Sequence, residues 1–169
     1  MKDADIIEAM VFKLRVPVGR HLYGVVGSYD ALERFSRNIL EAKTPDGLLF
    51  PKPISINKGI FAAIPENEFK RLAEDEPRYP EVIRFRLGQA FDEFLRLTLR
   101  QGLVVLKDLE VLFTYDLDLS PFRTLCTDKQ RAILLLPGER SGERICMFGS
   151  DDIFLPVDLI ASDHLWILR

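Results

Sequence analysis

Residues 21–40, HLYGVVGSYDALERFSRNIL, pass from a charge-free apolar run through a glycine into an amphipathic stripe. Residues 103–113, LVVLKDLEVLF, end a second apolar run in a lysine followed by two acids. The first segment has the outline of a loop that cradles phosphates, because backbone N–H groups at a strand–helix turn and the helix dipole both favour an anion. The second has the outline of a strand whose terminal carboxylate holds a nucleotide-bound magnesium ion. Gly27, Glu33, Arg34, Lys107, Asp108 and Glu110 stand at the positions such a cofactor site would use.

The residue types at those positions are wrong for the chemistry. A working loop has the form GxxxxGK[ST], in which glycines let the backbone curl, the lysine reaches the outer phosphates and the hydroxyl holds magnesium. Counted from Gly27, the second glycine falls on Leu32, the lysine on Glu33 and the hydroxyl on Arg34. At an effective dielectric of about 20, unit charges about 4 Å apart interact by roughly 4 kcal/mol, so a carboxylate in the lysine's place repels a polyphosphate strongly. Lys107 stands where the metal-holding acid belongs, with Asp108 one residue later and Glu110 in the place of a water-polarising acid. The exchanged signs suggest that Glu33 and Lys107 pair and fill the cleft themselves. On this reading ATP and magnesium are disfavoured and no catalytic residue is assigned.

These residues need strands and helices to hold them. Asp5–Leu14 carries Ile6, Ile7, Met10, Val11 and Leu14 at helical spacing, Ala31–Leu40 carries Leu32, Phe35, Ile39 and Leu40, and a long stripe with Ile83, Leu87, Ala90, Phe91, Phe94 and Leu97 runs from Pro80 to Gly102. Strands are predicted at 22–26, 54–57, 103–106, 132–136 and 165–168. Charge-free strands separated by helical stretches mean a mostly parallel sheet covered on both faces. The predicted fold class is α/β, one domain over 1–169, with about five mostly parallel strands and helices on both faces. Ligands in such sheets bind beyond the strands' carboxyl ends, which directs attention to 27–34, 107–110 and 137–140.

The chain has 169 residues, 47% of them hydrophobic and 29% charged, enough for one sizeable core without disulfides or metal. A net charge of −3 disfavours autonomous nucleic-acid binding. No apolar run approaches the ~20 residues needed to cross a bilayer, and no secretory signal opens the sequence, so a cytoplasmic protein without membrane contact is expected. His21, His164, Cys126 and Cys146 lack zinc-ligand spacing, and no metal site is expected.

In VVLKDLEVLF, followed by DLSPFRTLCTDKQRAILLLPGE, the chain resembles the small P-loop protein of type III BREX bacteriophage-exclusion systems, an AAA-like component of a bacterial defence operon. Glu110, Leu112, Phe113, Pro121, Arg123 and Arg131 match that family's pattern, whereas Leu32, Glu33, Arg34 and Lys107 depart from it. The resemblance implies a three-layer P-loop NTPase-like fold and a defence context, with other defence proteins, or further copies of this chain, as partners. It points to Phe113, Arg123 and Arg131 as partner-interface residues, the arginines reaching a neighbour's nucleotide. The expected function is a non-catalytic, degenerate ATPase-like component acting through protein contact. The alternatives are a weak ATPase completing a composite site with a second subunit, and a nucleic-acid-binding module.

That last alternative rests on Arg84, Arg86, Arg96 and Arg100 of the long stripe, where Phe85 and Phe91 fit the core side. Asp151 and Asp152 fall in a turn expected to be solvated. Phe113, Tyr115, Leu117, Leu119 and Phe122 crowd one loop region and are expected to leave an uncovered apolar patch suited to a protein partner.

Overall fold

The computed structural model describes all 169 residues. Five strands, β1 (Leu22–Gly27), β2 (Ile54–Ser55), β3 (Leu103–Lys107), β4 (Arg131–Ser141) and β6 (Leu165–Ile167), form a sheet in the order β2-β3-β4-β1-β6, with β5 (Arg144–Met147) paired to β4. Every pairing along that order is parallel. Only β5 is antiparallel, folding back on the end of β4 with Gly138 opposite Met147 and Ser141 opposite Arg144. Residues 137–140 therefore continue a strand into a hairpin, where a loop beyond a strand end was expected.

Alternation along the strands divides the core into two layers. Val26, Val104, Leu106, Leu134 and Leu136 face the larger cluster, while Tyr23, Val25, Val105, Ile133 and Leu135 face the smaller one. The period of two in side-chain direction makes this division unavoidable for strands covered on both faces. On the smaller side lie α1 (Asp3–Leu14), through Ile6, Met10 and Leu14, and α2 (Tyr29–Ile39), through Leu32, Phe35 and Ile39. On the larger side lie α3 (Ile56–Ala62), α4 (Glu66–Asp75), α5 (Pro80–Leu99), α6 (Glu110–Thr114) and α7 (Ser120–Leu125). The result is a three-layer α/β/α architecture of the P-loop-like kind.

The long stripe from Pro80 is α5, packed through Ile83, Leu87, Ala90, Phe91, Leu95 and Leu99, with Phe91 edge-on to Phe122 of α7 at 5.2 Å. Leu97 and Phe85 depart from the expected core side, being 65% and 69% exposed. At 3.6 residues per turn the buried face passes through 95 and 99 and leaves 97 outside. The predicted strand at 54–57 stops at Ser55, whose hydroxyl accepts from Lys58 N and caps α3.

The apolar crowd at 113–122 is covered. Leu117 and Phe122 are buried, and Phe113, Tyr115 and Leu119 are half-buried against the larger cluster, Phe113 edge-on to Phe148 at 5.2 Å. Short helices α6 and α7, invisible to periodicity at five and six residues, fold this segment onto α5. No helix is long and apolar enough to cross a membrane.

Candidate functional site

The parallel order β2-β3-β4-β1 brings the residues after β1, β2 and β3 to one end of the sheet. β1 closes at Gly27 opposite Pro137 of β4, and β2 closes at Ser55 opposite Lys107 of β3. α2 begins almost at once after β1, with Ser28 as its cap accepting from Ala31 N at 3.3 Å and Tyr29 as its first residue. Only Ser28 separates strand from helix. A phosphate loop needs several consecutive residues outside regular structure so that their N–H groups converge on the anion; here Leu32 N already donates to Ser28 O at 2.9 Å as ordinary helix.

Leu32, Glu33 and Arg34 consequently lie within α2 rather than in a loop. Leu32 is a core residue, 5% exposed. Glu33 is exposed and pairs with Arg37 one turn on, at 3.2 Å. Arg34 leaves the site altogether and grips Asp3 of α1 with Nε at 3.1 Å and Nη2 at 3.0 Å, beside an Asn38 amide at 2.7 Å. Gly27 is buried against Leu168, whose Cβ would stand 3.1 Å from a Cβ placed on the glycine.

Across the sheet, Tyr29 reaches over β4 and donates its phenol to Glu110 Oε1 at 2.9 Å. Asn57 of α3 donates to the other carboxylate oxygen, Oε2, at 2.9 Å and accepts from Val111 N at 3.1 Å. Asn57 N also donates to Asp108 O at 3.0 Å, and Asp108 adopts φ 56° in the turn between β3 and α6. The three elements following β1, β2 and β3 are thus tied together at Glu110. Partial burial, then the Glu110 hydrogen bond and the charges of Glu110 and Asp108, push Tyr29 up to about 12, so the phenol remains a donor throughout the physiological range.

Lys107 and Asp108 face Glu33 across a cleft of about 500 Å³, shared with Lys52, Arg37 and Leu135. Lys107 is exposed and forms no ion pair, so the expected Glu33–Lys107 bond is replaced by the helical Glu33–Arg37 pair. Sequence reasoning missed Tyr29 and Asn57. A tyrosine just after a strand and an asparagine opening a helix carry no spacing signal by themselves.

The predicted partner residues separate in space. Phe113 and Arg123 line one groove, where Arg123 Nη1 meets Asp158 at 3.1 Å and its buried Nε has no partner. Arg131 opens β4 at the opposite end of the sheet from Glu110, donating to Leu14 O at 2.8 Å and Asp128 O at 2.7 Å. It closes the carboxyl end of α1, where cations are favoured. Within α5, Arg84 pairs with Asp116, Arg86 with Glu68 and Arg96 with Asp92, while Arg100, just past the helix end, has no ion pair. No group of three or more His, Cys, Asp and Glu is placed to hold a metal ion.

Comparison with family models, curated proteins and solved structures finds no match to this chain.

Two outcomes follow from this geometry. Tyr29→Phe removes one of the two side-chain donors to Glu110 and is expected to lower unfolding stability by about 1 kcal/mol. Glu110→Ala, which removes the acceptor, should cancel most of that difference in a double-mutant cycle, read by urea denaturation. Separately, Arg34 first, aided by Asn38, holds the Asp3 carboxyl below its ordinary value against opposing desolvation. A depressed carboxyl stabilises the fold above its unfolded value, about 3.9, and the contribution disappears as pH falls through the lower folded value. The thermal midpoint of Asp3→Asn should therefore lie below wild type at neutral pH, with the gap closing in acid.

Proposed function

We propose that the chain is a non-hydrolysing, ATPase-like scaffold that acts through protein contact in a cytoplasmic anti-phage defence complex of bacteria. The observation that carries the first part is the start of α2 at Tyr29, two residues after β1 ends. Without an intervening loop, the N–H groups left over are those at the start of α2, fewer than the run of loop N–H groups that surrounds a polyphosphate. The carboxylate that would polarise an attacking water, Glu110, already accepts from Tyr29 and Asn57. A general base needs a lone pair aimed at its proton, within about 2.6–3.2 Å; each oxygen of Glu110 already accepts one bond that ties the fold together.

The defence context rests on the resemblance over the segment from VVLKDLEVLF to AILLLPGE. Contact with other proteins is the role left to such a scaffold when the nucleotide site is closed. The pairing of all three α5 arginines with acids works against a nucleic-acid face, because each would have to give up its own carboxylate to neutralise a phosphate.

Isothermal titration with ATP and magnesium tests the closed site. Wild type should give no saturable heat, and neither should Glu33→Lys, an exposed position that supplies the lysine at its counted place. ATP binding by wild type would overturn the proposal. Binding gained by Glu33→Lys would show that charge, rather than the missing loop, bars the nucleotide. In a host carrying the surrounding operon, deletion of this gene should raise phage plating efficiency, while Glu110→Gln should leave exclusion intact. Unchanged plating on deletion would remove the defence assignment.

A further inference from the structure

We infer that the groove between α6, α7 and the segment 152–159 docks a protein partner through a short stretch that sets a lysine or arginine beside apolar side chains. The inference rests on the scaffold reading above and gives it a surface and a partner chemistry. The groove has a volume of about 750 Å³ and is floored by Leu112, Leu117 and Leu159, all buried, with Phe113 and Ile153 half-buried beside them. Its rim is acidic. Four aspartates, Asp116, Asp118, Asp152 and Asp158, line it against two arginines, Arg84 and Arg123.

The pairing of those charges decides what fits. Arg84 is bound to Asp116 at 2.8 Å and Arg123 to Asp158 at 3.1 Å, so the charge of each arginine is matched within the chain, although Arg123 Nε donates to nothing. Asp118 and Asp152 remain without a cation. Asp118 accepts from Ser120 N at 2.9 Å and Ser120 Oγ at 2.7 Å, and these bonds hold its carboxyl below the usual range, which keeps it charged. The exposed Asp152 accepts no hydrogen bond; its own N–H donates to Ser150 Oγ at 3.3 Å.

An apolar floor inside a polar rim is the anatomy of a protein interface. The uncompensated charge is negative, which repels nucleic acid and anionic peptides and attracts Lys or Arg. The carboxylates are not grouped to take a metal ion instead. The occupant is therefore a cationic, apolar peptide segment, whose side chains reach the floor while its charge meets Asp118 and Asp152.

Fluorescein-labelled peptides of alternating leucine and lysine, and of alternating leucine and glutamate, test this by anisotropy against the full chain. The leucine–lysine peptide should bind saturably and the leucine–glutamate peptide should not. Asp152→Lys should weaken binding about tenfold or more, and Asp152→Glu should retain it. Asp46→Lys makes the same charge change in a distant turn, where screening limits the effect to about twofold. Equal losses in Asp152→Lys and Asp46→Lys, equal affinity for both peptides, or no saturable binding would each overturn the docking site. Repeating the titration with ATP and magnesium separates the two proposals. Nucleotide binding alongside intact peptide binding would end the non-hydrolysing reading and spare the groove, whereas silence toward both would end the groove and spare that reading.

Discussion

The junction between β1 and α2 governs the rest of the molecule's chemistry. A helix that starts two residues after a strand leaves no loop between them: Ala31 N already donates to Ser28 Oγ and Leu32 N to Ser28 O, and only the N–H groups at the very start of α2 lie outside the helix's own bonding. Donors used in this way are not available to a ligand. The same abrupt start places Tyr29 over the carboxyl end of the sheet, from where its phenol crosses β4 to Glu110. One covalent constraint, the length of a connection, thus leaves no phosphate-type loop after β1 and sets Tyr29 beside Glu110.

The charge inversion at Glu33 and Lys107 has a different meaning in this light. The two residues look across one cleft without bonding, and Glu33 turns to Arg37 on its own helix. An exposed i,i+4 pair contributes only about 0.3–0.5 kcal/mol, so neither residue is a structural element of the fold. By contrast, Arg34 and Arg131 have become structural: one docks α1 on α2 through Asp3, the other holds the carboxyl end of α1.

Burial and charge also distinguish two neighbouring regions that share α6. The carboxyl-end network of Tyr29, Asn57 and Glu110 binds three elements to one another through neutral donors and a single carboxylate. The groove bounded by α6 and α7 does the reverse, leaving carboxylates beside apolar surface without a cation for each. Satisfied polar groups specify a fold; unsatisfied charge beside apolar surface favours a second molecule.

By itself the sequence determined the layers. Charge-free runs such as LVVL and AILLL, read with period two, and stripes such as Leu32, Phe35 and Ile39, read with period 3.6, state which side chains must be buried, and burial of apolar surface is local enough in pattern to be seen without coordinates. It also showed that the phosphate-gripping types were missing after Gly27. Only the tertiary structure decided where α2 begins, that Tyr29 and Asn57 meet Glu110, that the 113–122 segment is covered by two short helices, and which α5 arginines are neutralised. Tyr29 and Glu110 are 81 positions apart. Such contacts depend on how strands are ordered side by side, and strand order leaves no periodic trace along a chain.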